Sequence, residues 1–204
     1  MTKRQIGIIN YDAGNCASVA SRFTTLGHRT RLVNSRTDLD HVDLLVLPGV
    51  GAFASAMNAL SQRHMVDVIK DWASFGNPVL GICLGMQMLA DRSYEHGVTE
   101  GLGLISGEVV ALGEPQWHIG WNGLSTHAHA SESINSLNGM DVYFNHSYAF
   151  NADPEYVLAT SYHQRDITAV VRRENVMGFQ FHPEKSQSAG ADVLNIAVKE
   201  LIHA

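Results

Sequence analysis

The chain has 204 residues, 45% of them hydrophobic, with a formal net charge of −6, so it can bury a substantial core in one domain over residues 1–204 and argues against a nucleic-acid surface, which needs clustered Lys and Arg. No apolar run approaches a membrane span and nothing at the start resembles a signal peptide. The two cysteines, Cys16 and Cys83, are too few for a disulfide scaffold, which predicts a reducing, cytoplasmic setting.

Gln5 to Asn10 reads as a first strand, followed by a loop over Tyr11 to Asn15. A helix then shows Val19, Ala20, Phe23 and Leu26 on one face, with Gly27 placed to cap it. One glycine in that first loop does not make a dinucleotide-binding fingerprint. Arg29 to Val33 is a second strand, and Leu44-Leu45-Val46-Leu47 a buried third that ends at Pro48-Gly49-Val50-Gly51. Such a loop can bring backbone N–H groups close to a ligand, or serve as a plain turn. Helical periodicity follows through Ala52, Ala56, Met57 and Leu60, then Met65, Val66, Val68, Ile69 and Trp72.

The run Val79-Leu80-Gly81-Ile82-Cys83-Leu84-Gly85-Met86-Gln87 reads as a strand turning sharply into a helix that continues through Ala90. A Gly-x-nucleophile-x-Gly turn is a nucleophile elbow, which pushes its side chain out at the carboxyl edge of a sheet. A thiol there sits beside the free N–H groups and positive end of a helix, which favour its thiolate and can bind an oxyanion. The alternative is a small apolar residue at the end of a buried strand. Strands alternating with helices predict an α/β fold with a mostly parallel central sheet, its functional edge at the strands' carboxyl ends.

Beyond Arg92 the texture changes to short strand candidates at Glu108 to Leu112, Gly120 to Leu124, Asp141 to Ser147, Tyr156 to Tyr162, Ile167 to Arg172 and Val176 to Gln180. These predict antiparallel hairpins added to the main sheet. Ala128 to Asn138 is polar and reads as a surface loop. His127 and His129 lack partners at metal-ligand spacing and read as surface histidines, so no metal site is expected. A last helix spans Ala189 to His203.

The second chemical signal is Phe179-Gln180-Phe181-His182-Pro183-Glu184-Lys185-Ser186. In an extended segment His182 and Glu184 would point to one side, with Pro183 stiffening the backbone. A carboxylate on one imidazole nitrogen leaves the other for a nucleophile, so Cys83, His182 and Glu184 could act as attacking thiolate, proton shuttle and orienter. By itself His-Pro-Glu is also compatible with a loop carrying a solvated Glu.

These motifs, with Asp12-Ala13-Gly14-Asn15, Leu47-Pro48-Gly49-Val50-Gly51-Ala52-Phe53, Gly120-Trp121-Asn122 and His146-Ser147-Tyr148, resemble the class I, triad-type glutamine amidotransferases of flavodoxin-like fold. Met86-Gln87 with Gly120-Trp121-Asn122 narrows the resemblance to the glutaminase-subunit branch of imidazole glycerol phosphate synthase and its close paralogues. The resemblance implies hydrolysis of L-glutamine to glutamate and ammonia through a Cys83 thioester, without a cofactor. It assigns the oxyanion hole to the backbone of Val50 and Leu84, and glutamine contacts to Gly51, Gln87, Glu95, Ser147 and Tyr148. Its expected partner is a (β/α)₈-barrel cyclase subunit in a heterodimer, facing His118, Trp121, Asn122 and Lys185, with no nucleic acid or membrane involved. Trp117-His118-Ile119 departs from the family's usual Pro-His-Met, and Asn145 replaces an apolar residue. Paralogues that supply ammonia to a sugar amidotransferase in surface-polysaccharide synthesis form the alternative reading.

Overall fold

A computed structural model describes residues 3–11, 15–114 and 116–202. Asp12, Ala13 and Gly14 of the first loop, and the predicted helix end at His203, lie outside the described residues. The first half comprises β1 (Gln5–Ile9), α1 (Cys16–Thr25), β2 (Arg29–Val33), β3 (Leu44–Gly49), α2 (Phe53–Gln62), α3 (Met65–Ser74), β4 (Val79–Cys83) and α4 (Leu84–Gln87). The second half adds β5 (Arg92–Ser93), β6 (Thr99–Glu100), β7 (Gly107–Ala111), β8 (His118–Gly123), β9 (Ser125–Thr126) and α5 (Glu132–Asn135). It closes with β10 (Asp141–His146), β11 (Tyr148–Ala152), β12 (Val157–His163), β13 (Arg165–Arg173), β14 (Val176–Phe179) and α6 (Gln187–Ile202).

The main sheet runs β2-β1-β3-β4-β14-β13-β12-β9. Its first five strands are parallel and the rest antiparallel, so the expected mostly parallel α/β sheet with added hairpins is what the chain builds. Successive strand side chains point to opposite faces, and the two faces bury separate clusters. Leu45 and Leu47 join the face covered by α2 and α3, while Leu44 and Val46 join the face covered by α1 and α6. β8 and β10 pair in a small sheet of their own, and β11, β7, β5 and β6 form another.

The parallel register sets the functional edge. Gly49 lies opposite Cys83, and Ile82 opposite Phe179, so β3, β4 and β14 end together. The Gly49-Val50-Gly51 loop, Cys83 and the segment leading to His182 therefore emerge side by side.

Four local expectations differ from the structure. α4 stops at Gln87 instead of running through Ala90. The carbonyls of Met88, Leu89 and Ala90 instead accept the N–H groups of Leu102, Leu104 and Gly103, so tertiary bonding displaces the helical ladder. Tyr148 to Ala152 forms β11, which was hidden because Ser147 bends the chain from one sheet into another without breaking the apolar pattern. The loop over Ala128 to Asn138 holds the helical turn α5, opened by the Ser131 hydroxyl accepting from the Ile134 N–H at 3.2 Å. Pro183 to Lys185 is a 3₁₀ turn and not extended chain.

Candidate active site

Cys83 ends β4 at φ 54°, ψ −111°, a positive φ that a non-glycine residue holds only where its surroundings impose it. The imposing neighbours are glycines. A Cβ on Gly85 would sit 1.7 Å from the Leu47 carbonyl oxygen, and one on Gly81 would sit 2.6 Å from the Gly85 carbonyl oxygen. Only hydrogens fit at those two positions, so the turn packs directly onto β3. Behind it, the buried Tyr11 hydroxyl donates to the Pro48 carbonyl at 2.6 Å and anchors the base of the Gly49-Val50-Gly51 loop.

His182 is 2% exposed and shares the cavity wall with Cys83, which acts on its charge, and its Nδ1 lies 2.8 Å from Glu184 Oε1. The 3₁₀ turn delivers Glu184 back under its own histidine, so the pairing expected from an extended segment arises from a different backbone. Asn15, entering from the loop after β1, donates to the same Glu184 oxygen at 2.9 Å. Burial opposes a charged imidazole, but Cys83 and Glu184 outweigh it and push the His182 pKa up to about 9. Burial likewise works against the Glu184 charge, and the His182 and Asn15 bonds overcome it, holding that carboxyl below its ordinary range.

A cavity of about 490 Å³ opens over this trio. Val50, Gly51, Leu84, Gln87, Glu95, Ser147 and Tyr148 all line it, together with His96, Asn145 and His146. Its volume suits a small amino acid with polar ends. Gln87 donates to the Tyr148 carbonyl at 2.7 Å, and Glu95 accepts from the Phe53 N–H at 2.7 Å, so both are held by backbone at the rim. His96 carried no sequence signal as a site residue, and Asn145 stood out in the sequence only as a departure from the family pattern. His146 lay in the His-Ser-Tyr motif that carried such a signal.

The four residues assigned to a partner face do not share one environment. Trp121 is exposed and Lys185 extends over the Tyr143 ring, while Asn122 is half-buried. His118 is 3% exposed, because alternation along β8 turns it inward while Ile119 and Trp121 face out. It pairs across strands with His146, at 3.1 Å between Nδ1 and Nε2, and stacks between Phe144 and His163. His127 and His129 lie ring to ring at the surface, and among the described residues no group of His, Cys, Asp and Glu could hold a metal.

Residues 8–200 match the family described as glutamine amidotransferase class-I. The chain belongs to the class I glutamine amidotransferases. Within that family it is 43% identical over 202 residues to the imidazole glycerol phosphate synthase subunit HisH of Lactococcus lactis, covering 97% of this chain and 100% of that one. It is 44% identical to the HisH subunit of Geobacillus thermodenitrificans over 93% of each chain. Among solved structures, a glutamine amidotransferase superposes at TM-score 0.76 with 19% identity over 98% of this chain and 99% of the other. A chain of PurLQS from Thermotoga maritima gives TM-score 0.77 at 18% identity, covering 98% of this chain and 100% of that one. These two likenesses establish the shared amidotransferase fold. No helix among the described residues is long and apolar enough to cross a membrane.

Proposed function

We propose that the chain is a single-domain glutaminase that hydrolyses L-glutamine and works as the HisH-type subunit of an imidazole glycerol phosphate synthase in histidine biosynthesis. The observation that carries the chemistry is the relay of Cys83, His182 and Glu184 beneath a cavity of amino-acid size. In this reading the Cys83 thiolate attacks the side-chain carboxamide, and the oxygen's developing charge is met by the backbone N–H groups of Leu84 and Val50. Leu84 opens α4, so its N–H has no acceptor inside that helix. His182, charged at neutral pH, gives its proton to the departing nitrogen, which leaves as ammonia. It then takes a proton from the water that opens the thioester. Glu184 keeps the imidazole aligned through both transfers.

Gly51, Gln87, Glu95, Ser147 and Tyr148 hold the glutamine. Ammonia that reached bulk water would be protonated and lost, so the use of it requires a partner docked over the site. Ile119, Trp121 and Tyr162 are exposed side chains near that end of the molecule, with Lys185 and the half-buried Asn122 beside them; His118 contributes from beneath, through His146. The partner of this reading is the cyclase subunit of the synthase.

The test is glutamate production from glutamine by the purified chain, alone and with a histidine-pathway cyclase and its nucleotide ligand. Cyclase-dependent stimulation that vanishes in Cys83→Ala, with binding retained, is the expected result. Activity that survives Cys83→Ala refutes the triad, and a chain that ignores the cyclase but responds to a sugar amidotransferase refutes the pathway.

A further inference from the structure

Gln180 has no part in the relay, yet its side chain is fully buried beside it. Its amide makes two contacts: Oε1 lies 3.1 Å from Gln87 Nε2, and Nε2 lies 3.9 Å from the Cys83 sulfur. The orientation of that amide is forced by its neighbours. The Tyr148 carbonyl can only accept, so the Gln87 atom 2.7 Å from it is the NH₂ group. The second hydrogen of that NH₂ group points at Gln180, which must present its oxygen there. Its own NH₂ group then faces sulfur. With the amide turned round, two donors would oppose each other at Gln87 and a carbonyl oxygen would face the sulfur.

We propose that Gln180 is a further catalytic residue: its side-chain N–H donates to the Cys83 sulfur and stabilises negative charge there at both ends of the reaction. This rests on the reading of Cys83 as nucleophile. In the first half, a sulfur electron pair forms the S–C bond, the carboxamide π pair moves to oxygen, and collapse breaks C–N as His182 protonates the nitrogen. In the second, water adds with its proton passing to His182, and collapse breaks C–S and returns the pair to sulfur. The carboxylic acid product then loses its proton to solvent. Sulfur is charged before the first half and after the second, and in a buried site a fixed donor acts on that charge with little screening. His182 must release a proton to the nitrogen during the first half. Gln180 carries no exchangeable charge and keeps its donor throughout.

The experiment compares wild type and Gln180→Met, which keeps the volume and removes the donor. Alkylation of Cys83 by iodoacetamide is followed across pH without glutamine, beside steady-state glutaminase turnover. Among the described residues, His182 and Tyr11 are titratable groups that feel the Cys83 charge, and both are present in the two proteins. Expected in the variant are an alkylation rate about tenfold lower at neutral pH and a parallel fall in kcat. A second measurement needs no Gln180 substitution. In ¹⁵N-labelled wild type the Gln180 side-chain amide resonances should move over the pH range in which Cys83 becomes alkylable, and stay fixed in Cys83→Ala. Turnover that survives alkylation of Cys83 overturns the nucleophile reading and this proposal with it. An unchanged alkylation profile in Gln180→Met, with silent amide resonances, overturns this proposal alone.

Discussion

Asn15 and Glu184, 169 residues apart in the chain, meet at 2.9 Å through the same carboxylate oxygen that holds His182. One oxygen thus takes two donors, and the second fixes the plane in which the first must approach. Asn15 does not line the cavity. Asn15→Ala should therefore lower kcat roughly tenfold or more while leaving KM for glutamine close to wild type. Asn15→Asp, which sets a second carboxylate against Glu184, should be worse than alanine. A KM effect equal to the kcat effect would instead assign Asn15 to substrate binding.

The raised pKa of His182 predicts an alkaline limit. In the proposed mechanism the imidazolium proton goes to the leaving nitrogen, so kcat/KM should fall as pH passes about 9. Linkage gives a matching stability effect of the same sign. A histidine raised from 6.5 to about 9 contributes stability fully below about pH 6.5 and loses it as pH climbs through 9. NMR titration of His182 in Glu184→Gln should show its midpoint moved down, since one of the two groups that oppose burial loses its charge. A midpoint that stays near 9 in that variant would leave Cys83 as the sole cause.

A glycine outside every motif supports the relay. A Cβ on Gly190 in α6 would sit 1.8 Å from the Pro183 carbonyl oxygen, so the helix packs backbone to backbone on the turn that carries Glu184. Gly190→Ala must push α6 and that turn apart, at a stability cost on the order of 1–3 kcal/mol. Its signature is a lower melting temperature together with a loss of turnover that exceeds the loss in glutamine binding. If turnover were unaffected, the turn would be held by something other than α6.

The sequence was informative where local chemistry decides geometry. Glycines flanking Cys83 announced the elbow, and alternation with helices announced the parallel sheet. It was misleading where distant chain competes for backbone groups, as when Leu102, Gly103 and Leu104 take the carbonyls that would have extended α4. The His182–Glu184 pairing was foreseen on a backbone that the chain does not adopt, because a two-residue spacing allows the contact in both an extended strand and a 3₁₀ turn. The placement of His118 depends on the register of β8 against β10, which pairs it with His146. Register between strands so far apart in the chain leaves no mark in either segment's own pattern.

That buried histidine pair makes the last prediction. Tyr148's carbonyl accepts from His146 Nδ1 at 2.8 Å, which leaves His146 Nε2 to accept from His118 Nδ1, and His118 Nε2 to accept from the Asn122 amide at 3.1 Å. Every link in this chain requires neutral rings, and a proton on either one would set two N–H groups against each other. Burial is the leading cause that lowers His146 to about 3 and His118 to about 4, with neighbouring histidine charges adding to it. Lowered histidines bind protons in the unfolded chain first, so the stability they give is complete above about pH 6.5 and drains away as pH falls toward 4. His28, also lowered by burial, contributes in the same sense, whereas His182, already protonated in the folded protein, offsets a small part of that slope near pH 6.5, where the unfolded chain is still gaining its proton. Denaturant unfolding should show stability declining from pH 6.5 to 5, before the buried carboxylates titrate, and the slope should shrink in His118→Phe, which keeps the stack on Phe144. A wild-type slope in that variant would mean that His118 is charged in the folded protein, in which case its Nδ1–H would still donate to His146 but the Asn122 amide would have to turn its oxygen toward Nε2.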